Sequence, residues 1–157
     1  TLNIRGIKKP GVREEIEYWM TEKEIDILCL QETRNKQNSR ESRKSFTWFF
    51  SGEGGRKEHT GGVAIVIHNS YLQYIEDIEP ITDMLMTITL KGQFPITLIN
   101  TYLPSAPRAT AEKTALIERL RTYLDETSRQ ALLNRRASEA ESKMVELQQV
   151  PYTIYIA

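Results

Sequence analysis

Six compact apolar runs, none longer than eight residues, recur at short spacing and break off into polar residues; this pattern constrains the fold most. They are Ile25 to Gln31, Phe46 to Phe50, Val63 to His68, Tyr71 to Ile78, Met84 to Leu90 and Ile96 to Tyr102. Runs this short, rich in β-branched and aromatic residues, suit strands covered on one or both faces. Thr1 to Ile4 reads as a further short strand ending in a turn at Arg5-Gly6. Pro10 then stands where a first helical residue tolerates a missing N–H. Val12, Ile16, Trp19, Met20 and Lys23 follow helical spacing, with Arg13, Glu14, Glu15 and Glu17 facing outward. The chain thus opens as strand, helix, strand.

The later runs favour antiparallel pairing, with Lys91-Gly92-Gln93 as a hairpin turn. Arg34 to Lys44 is polar and basic without periodicity and reads as a loop. Ser51 to Gly62, holding Gly52, Gly54, Gly55, Gly61 and Gly62, reads as a flexible connection. Thr110 is placed to cap a helix with Leu116, Leu120, Tyr123 and Leu124 on one face. A second helical stretch carries Leu133, Ala137, Ala140, Met144 and Leu147, ends at Pro151, and leads to a last strand over Tyr152 to Ile156. One α+β domain over residues 1–157 is expected, with sheets as the main layers and helices outside.

Lys plus Arg and Asp plus Glu each number 21, so net charge makes no global case for a nucleic-acid partner. The one cysteine, Cys29, lies in an apolar run and reads as a buried thiol of an intracellular protein. No apolar stretch approaches the ~20 residues of a membrane helix, and no secretion signal is visible. The absence of an initiator Met leads to the expectation that the sequence is cut from a longer one.

Polar residues gather where three strands end: Thr1 to Gly6, Asp26 to Thr33, and Asn100 to Arg108. Strand ends at one edge of a scaffold commonly carry active sites. Glu32 directly follows a buried-looking strand, which would hold its carboxylate for a hard cation such as Mg²⁺. Asn3 offers an amide to orient Glu32 or a metal-bound water, Tyr102 a phenol for a phosphate oxygen, and Arg108 a planar fork for a phosphate. Each also has an ordinary structural reading: a solvated loop Glu, a turn-forming Asn, a half-buried sheet Tyr, a surface Arg.

In order along the chain, Leu2-Asn3, Leu30-Gln31-Glu32-Thr33, Gly61 to Ala64 and Tyr102-Leu103-Pro104 resemble motifs of the endonuclease/exonuclease/phosphatase family. That family includes apurinic/apyrimidinic endonucleases, DNase I and inositol-phosphate phosphatases. Asn3 to Gly6 and Asn100 to Ala106 look most like the endonuclease domains of non-LTR retrotransposons. The resemblance implies a four-layered sandwich of two sheets flanked by helices and Mg²⁺-dependent (or Mn²⁺-dependent) cleavage of DNA phosphodiesters, with a nuclear location by analogy. It makes Glu32 the metal ligand, Asn3 its neighbour and Tyr102 a phosphate-facing residue, with Arg108, Arg5 and Ser105 as substrate contacts. Arg5 departs from the pattern, falling where some repair endonucleases carry an acid that assists metal binding.

The family's later motifs, Gly-Asp-x-Asn and Ser-Asp-His, have no counterparts here, and His59 and His68 do not replace them. The fold is therefore expected to be incomplete on its C-terminal side, the chain alone to have little nuclease activity, and one apolar sheet face to stay uncovered and open to self-association. Arg34, Lys36, Arg40, Arg43 and Lys44 form a basic run that either steers a DNA backbone or is simply solvated. Two other readings remain: a phosphatase of the same fold acting on a phosphorylated small molecule or lipid, and a non-catalytic module whose contact helix spans Leu133 to Leu147.

Overall fold

A five-residue strand buried on four positions, β2 (Ile27–Gln31), is the spine around which the site is organised. The computed structural model describes residues 1–52, 61–93, 95–103, 110–142 and 153–156. The other strands are β1 (Leu2–Asn3), β3 (Ser39–Ser42), β4 (Phe46–Ser51), β5 (Val63–His68), β6 (Ile75–Thr82), β7 (Leu85–Leu90), β8 (Ile96–Thr101) and β9 (Thr153–Ile156). The helices are α1 (Val12–Glu22) and α2 (Thr110–Ser142), and a short 3-10 helix covers Asn69–Tyr74.

The first sheet runs β1-β2-β5-β4-β3 and the second β6-β7-β8-β9. β1 is parallel to β2, while β2–β5, β5–β4, β4–β3, β6–β7 and β7–β8 are antiparallel. Alternation along the central strands sends one set of side chains to each face. Leu28, Leu30, Trp48, Phe50, Ala64 and Val66 meet Ile16 and Met20 of α1. Cys29, Phe49, Val63, Ile65 and Ile67 meet Met86 and Ile88 of the second sheet. Helix, sheet and sheet form successive layers, and each fully buried aliphatic side chain contributes about 1.5–3 kcal/mol. The chain divides into two compact units, Thr1–Tyr102 with Ile154–Ala157, and Leu103–Thr153.

Several expectations need correction. Pro10 lies outside α1: Val12 N–H bonds to the Lys9 carbonyl, and Gly11 takes φ 85° and ψ −15°, a type II turn with Pro10 at its second position. Trp19 does not join Ile16 and Met20 in the core but is 41% exposed. The basic run is not all loop, because Ser39–Ser42 pairs with β4 as a polar edge strand. Two of its five cations are engaged: Arg43 forms ion pairs with Glu14, Glu17 and Glu41, and the Arg40 guanidinium lies 5.4 Å from the Phe49 ring centre. Asn69 and Ser70 stop the strand expected from Tyr71, since Asn69 bonds to Thr47 and to the carbonyls of Arg43 and Lys44. The two expected helices are one 33-residue helix, with Leu133 exposed and Leu116 buried. Ala137 and Ala140 lie on that helix, with side chains outside the described set, and Met144 and Leu147 lie outside the described residues. On the face of the second sheet turned away from the first, Leu85, Thr87 and Ile99 are buried and Thr89 and Thr97 are partly exposed.

Candidate active site

The parallel register Asn3↔Gln31 brings the end of β1 beside the end of β2, and the bonds Ile4 N–H to Gln31 O and Ile7 N–H to Thr33 O continue the seam. Past Gln31 the backbone turns sharply. Glu32 takes φ 53° and Arg34 φ 56°, both left-handed, a region that costs a side-chain-bearing residue about 1–2 kcal/mol. The turn is held because Thr33 N–H bonds to Gly62 O and Arg34 N–H to Gly61 O. Gly62 has φ +92°, and a Cβ there would sit 2.4 Å from Thr33 Oγ1, so only glycine fits this approach.

From the second sheet, the inward residues of β8 continue through Leu98 and Asn100 to Tyr102, whose N–H bonds to Met84 O. Asn100 is fully buried. Its amide donates to the carbonyls of Leu30 at 3.1 Å and Ala64 at 2.7 Å and accepts from Gln31 at 2.8 Å. Gln31 in turn accepts from the Thr1 hydroxyl. Asn100 therefore ties β8 to β2 and β5 one alternation before Tyr102.

Glu32, Asn3 and Tyr102 converge. The Asn3 amide and the Tyr102 hydroxyl both donate to Glu32 Oε1, each at 2.8 Å. Asn3 Oδ1 accepts from the Arg5 backbone N–H at 3.2 Å, which orients the amide. Partial burial pushes the Glu32 carboxyl up, but the bonds from Asn3 and Tyr102 and the charges of Arg34 and Arg5 outweigh it, leaving the group below its ordinary value. Burial and the Glu32 carboxylate together raise Tyr102 to about 12. Tyr102 thus stays a hydrogen-bond donor throughout the neutral range.

Oε2 of Glu32 has no hydrogen bond among the described residues, and no group of three or more His, Cys, Asp or Glu gathers there. One carboxylate oxygen beside an amide suits a hard cation that keeps most of its water, as Mg²⁺ does. Arg5 borders the group and is exposed; Ser105 and Arg108 lie outside the described residues, as does His59. His68 sits at the opposite end of β5, since Val63 pairs with Gln31 and Ile67 with Ile27. Its ring meets Phe46 edge-on and its Nδ1 meets Ser70 Oγ. Arg34 was read only as part of the basic run, and Gln31 and Asn100 only as members of motif segments, none of them as a residue of the site. The signal for Asn100 was available, as a polar residue at an inward position between Leu98 and Tyr102.

Residues 1–141 match the family model described as the endonuclease/exonuclease/phosphatase family. The chain belongs to this family. Members of the endonuclease/exonuclease/phosphatase family are in general Mg²⁺-dependent phosphodiesterases. No curated protein matches the chain. Among solved structures it is similar to the crystal structure of the APE2 catalytic domain of Xenopus laevis, with 18% identity and a TM-score of 0.52. That match covers 73% of this chain and 47% of the APE2 chain, so the chain spans about half the length of that structure. At this identity the likeness shows the fold.

Proposed function

We propose that this chain contributes the Glu32 half of a Mg²⁺-dependent (or Mn²⁺-dependent) DNA endonuclease site, of the kind found in non-LTR retrotransposons. The observation that carries the reading is the Glu32 carboxylate, fixed through Oε1 by Asn3 and Tyr102 with Oε2 available. A divalent cation held there supplies charge neutralisation and Lewis-acid polarisation to a phosphodiester. Asn3 keeps Glu32 oriented, and Tyr102, protonated at neutral pH, is a donor for a phosphate oxygen when substrate displaces its bond to Glu32. Arg5 extends from the turn beside Asn3 to the incoming backbone, and Ser105 and Arg108 are assigned as further substrate contacts by motif.

DNA as substrate is supported by the fold shared with the APE2 catalytic domain and by the likeness of Asn3 to Gly6 and Asn100 to Ala106 to retrotransposon endonucleases. The test is Mg²⁺-dependent nicking of supercoiled plasmid by this chain and by a version extended through the following native coding sequence. Nicking by the extended form, reduced at least ~10³-fold by Glu32→Ala, is the expected result. Hydrolysis of phosphorylated small molecules or lipids without nicking would transfer the reading to a phosphatase. No hydrolysis of any of these by either form would point instead to an interaction module.

A further inference from the structure

The charge around Glu32 is the wrong way round for a site that collects its metal first. One carboxylate is bordered by two guanidinium groups, Arg5 and Arg34, both exposed and neither with a hydrogen bond or salt bridge among the described residues. Both side chains leave the backbone at fixed points. Arg5 sits at φ 51° with its N–H on Asn3 Oδ1, and Arg34 at φ 56° with its N–H on Gly61 O. The Arg34 stem lies over Gly6, where a Cβ would stand 3.4 Å from its Cδ. Asp83 lies beside Gly61 and has a partner of its own, while the charges that act on the Glu32 carboxylate are those of Arg34 and Arg5. Before any ligand arrives, Glu32 with Arg5 and Arg34 carries a net charge of about +1, which repels a divalent cation and attracts a phosphodiester monoanion.

We infer that Arg5 and Arg34 form a paired phosphate clamp that makes binding ordered: the phosphodiester docks on the two arginines first, and this creates the affinity for the divalent cation at Glu32. Two guanidinium forks match the non-bridging oxygens of a phosphodiester. Once that anion is seated, the cations are neutralised and a phosphate oxygen is added to the ligands available beside Glu32 Oε2. Each ligand therefore raises the affinity of the other by the same factor, as linkage requires. This inference rests on the assignment of Glu32 as metal ligand.

The test is Mn²⁺ binding read by electron paramagnetic resonance, with and without a non-hydrolysable phosphorothioate duplex. The signal specific to the site is the difference between the native chain and Glu32→Gln, which removes Mn²⁺ held by the duplex itself. The native chain should bind Mn²⁺ weakly alone and at least ~10-fold more tightly with duplex. An Arg5→Gln/Arg34→Gln variant should bind Mn²⁺ alone more tightly than native and show less than about twofold enhancement by duplex. Both positions are exposed, so the variant keeps the core intact. Equal native affinity with and without duplex, or full enhancement surviving in the double variant, would overturn the ordering while leaving Glu32 as ligand. Mn²⁺ binding that ignores Glu32→Gln in both backgrounds would remove the metal assignment and the ordering with it.

Discussion

Glu32 carries its side chain from a backbone conformation that few carboxylates adopt, with φ 53°, and it persists because Thr33 and Arg34 are bonded to Gly62 and Gly61. Its carboxyl is held below the ordinary value of 4.5 because two donated bonds and two nearby cations outweigh the burial that would raise it. A depressed native value means that the ionised group adds stability above about pH 4.5, lost as pH falls through the lower native value. Glu32→Gln should therefore flatten the acid limb of stability against pH, measured by urea unfolding at steps below pH 5, and leave the slope above pH 6 unchanged. An acid limb identical to native would mean that the bonds to Asn3 and Tyr102 are not made in solution. Cys29 is shifted the other way, up to about 11, chiefly by burial. At pH 8 about one thiol in a thousand is then the reactive thiolate. The native protein should be inert to a thiol reagent over minutes and titrate one thiol on unfolding; rapid native labelling would contradict the buried β2 position.

At the scale of elements, α1 shows how far local sequence rules reach. Its start was readable from Pro10 but displaced by two residues, because the proline shapes a turn before the helix. Its end is a Schellman arrangement, with Ile25 N–H on Met20 O and Glu24 N–H on Thr21 O, and the left-handed position is Glu24 at φ 52° rather than glycine. Glu24 is exposed, so Glu24→Gly should relieve the strain and stabilise the fold by about 1 kcal/mol, read as a raised urea midpoint with unchanged slope. A lower midpoint would show that the Glu24 side chain makes a favourable interaction larger than that strain. β3 escaped the sequence reading because Ser39–Ser42 has no apolar alternation. What makes it a strand is pairing to the fully buried β4, together with the Arg13–Glu41 ion pair, which joins residues 28 apart.

Across the whole molecule, the two sheets were legible because nearly every buried strand announces itself as an apolar run. The trio Asn3, Glu32 and Tyr102 was legible only through family motifs, since its members are separated by 29 and 70 residues. The link that makes the trio possible was only half legible, since Asn100 shows as a polar residue at an inward position but its partners do not. Asn100 acts through backbone carbonyls on other strands, Leu30 O and Ala64 O, and carbonyls leave no trace in a residue pattern. It is fully buried and makes three hydrogen bonds, so the isosteric-sized change Asn100→Leu would leave two carbonyls and the Gln31 amide without that partner. Each buried group left unsatisfied costs about 1–3 kcal/mol, partly offset by the added apolar burial. The expected loss is about 3 kcal/mol by urea unfolding, with the slope against urea unchanged. In the folded protein Tyr102 should also lose its fixed position against Glu32, visible as a shifted Tyr102 resonance that matches the shift caused by Glu32→Gln. A loss below about 1 kcal/mol with an unmoved resonance would mean that apolar contacts such as Met86 and Ile88 against Ile65 align the sheets unaided.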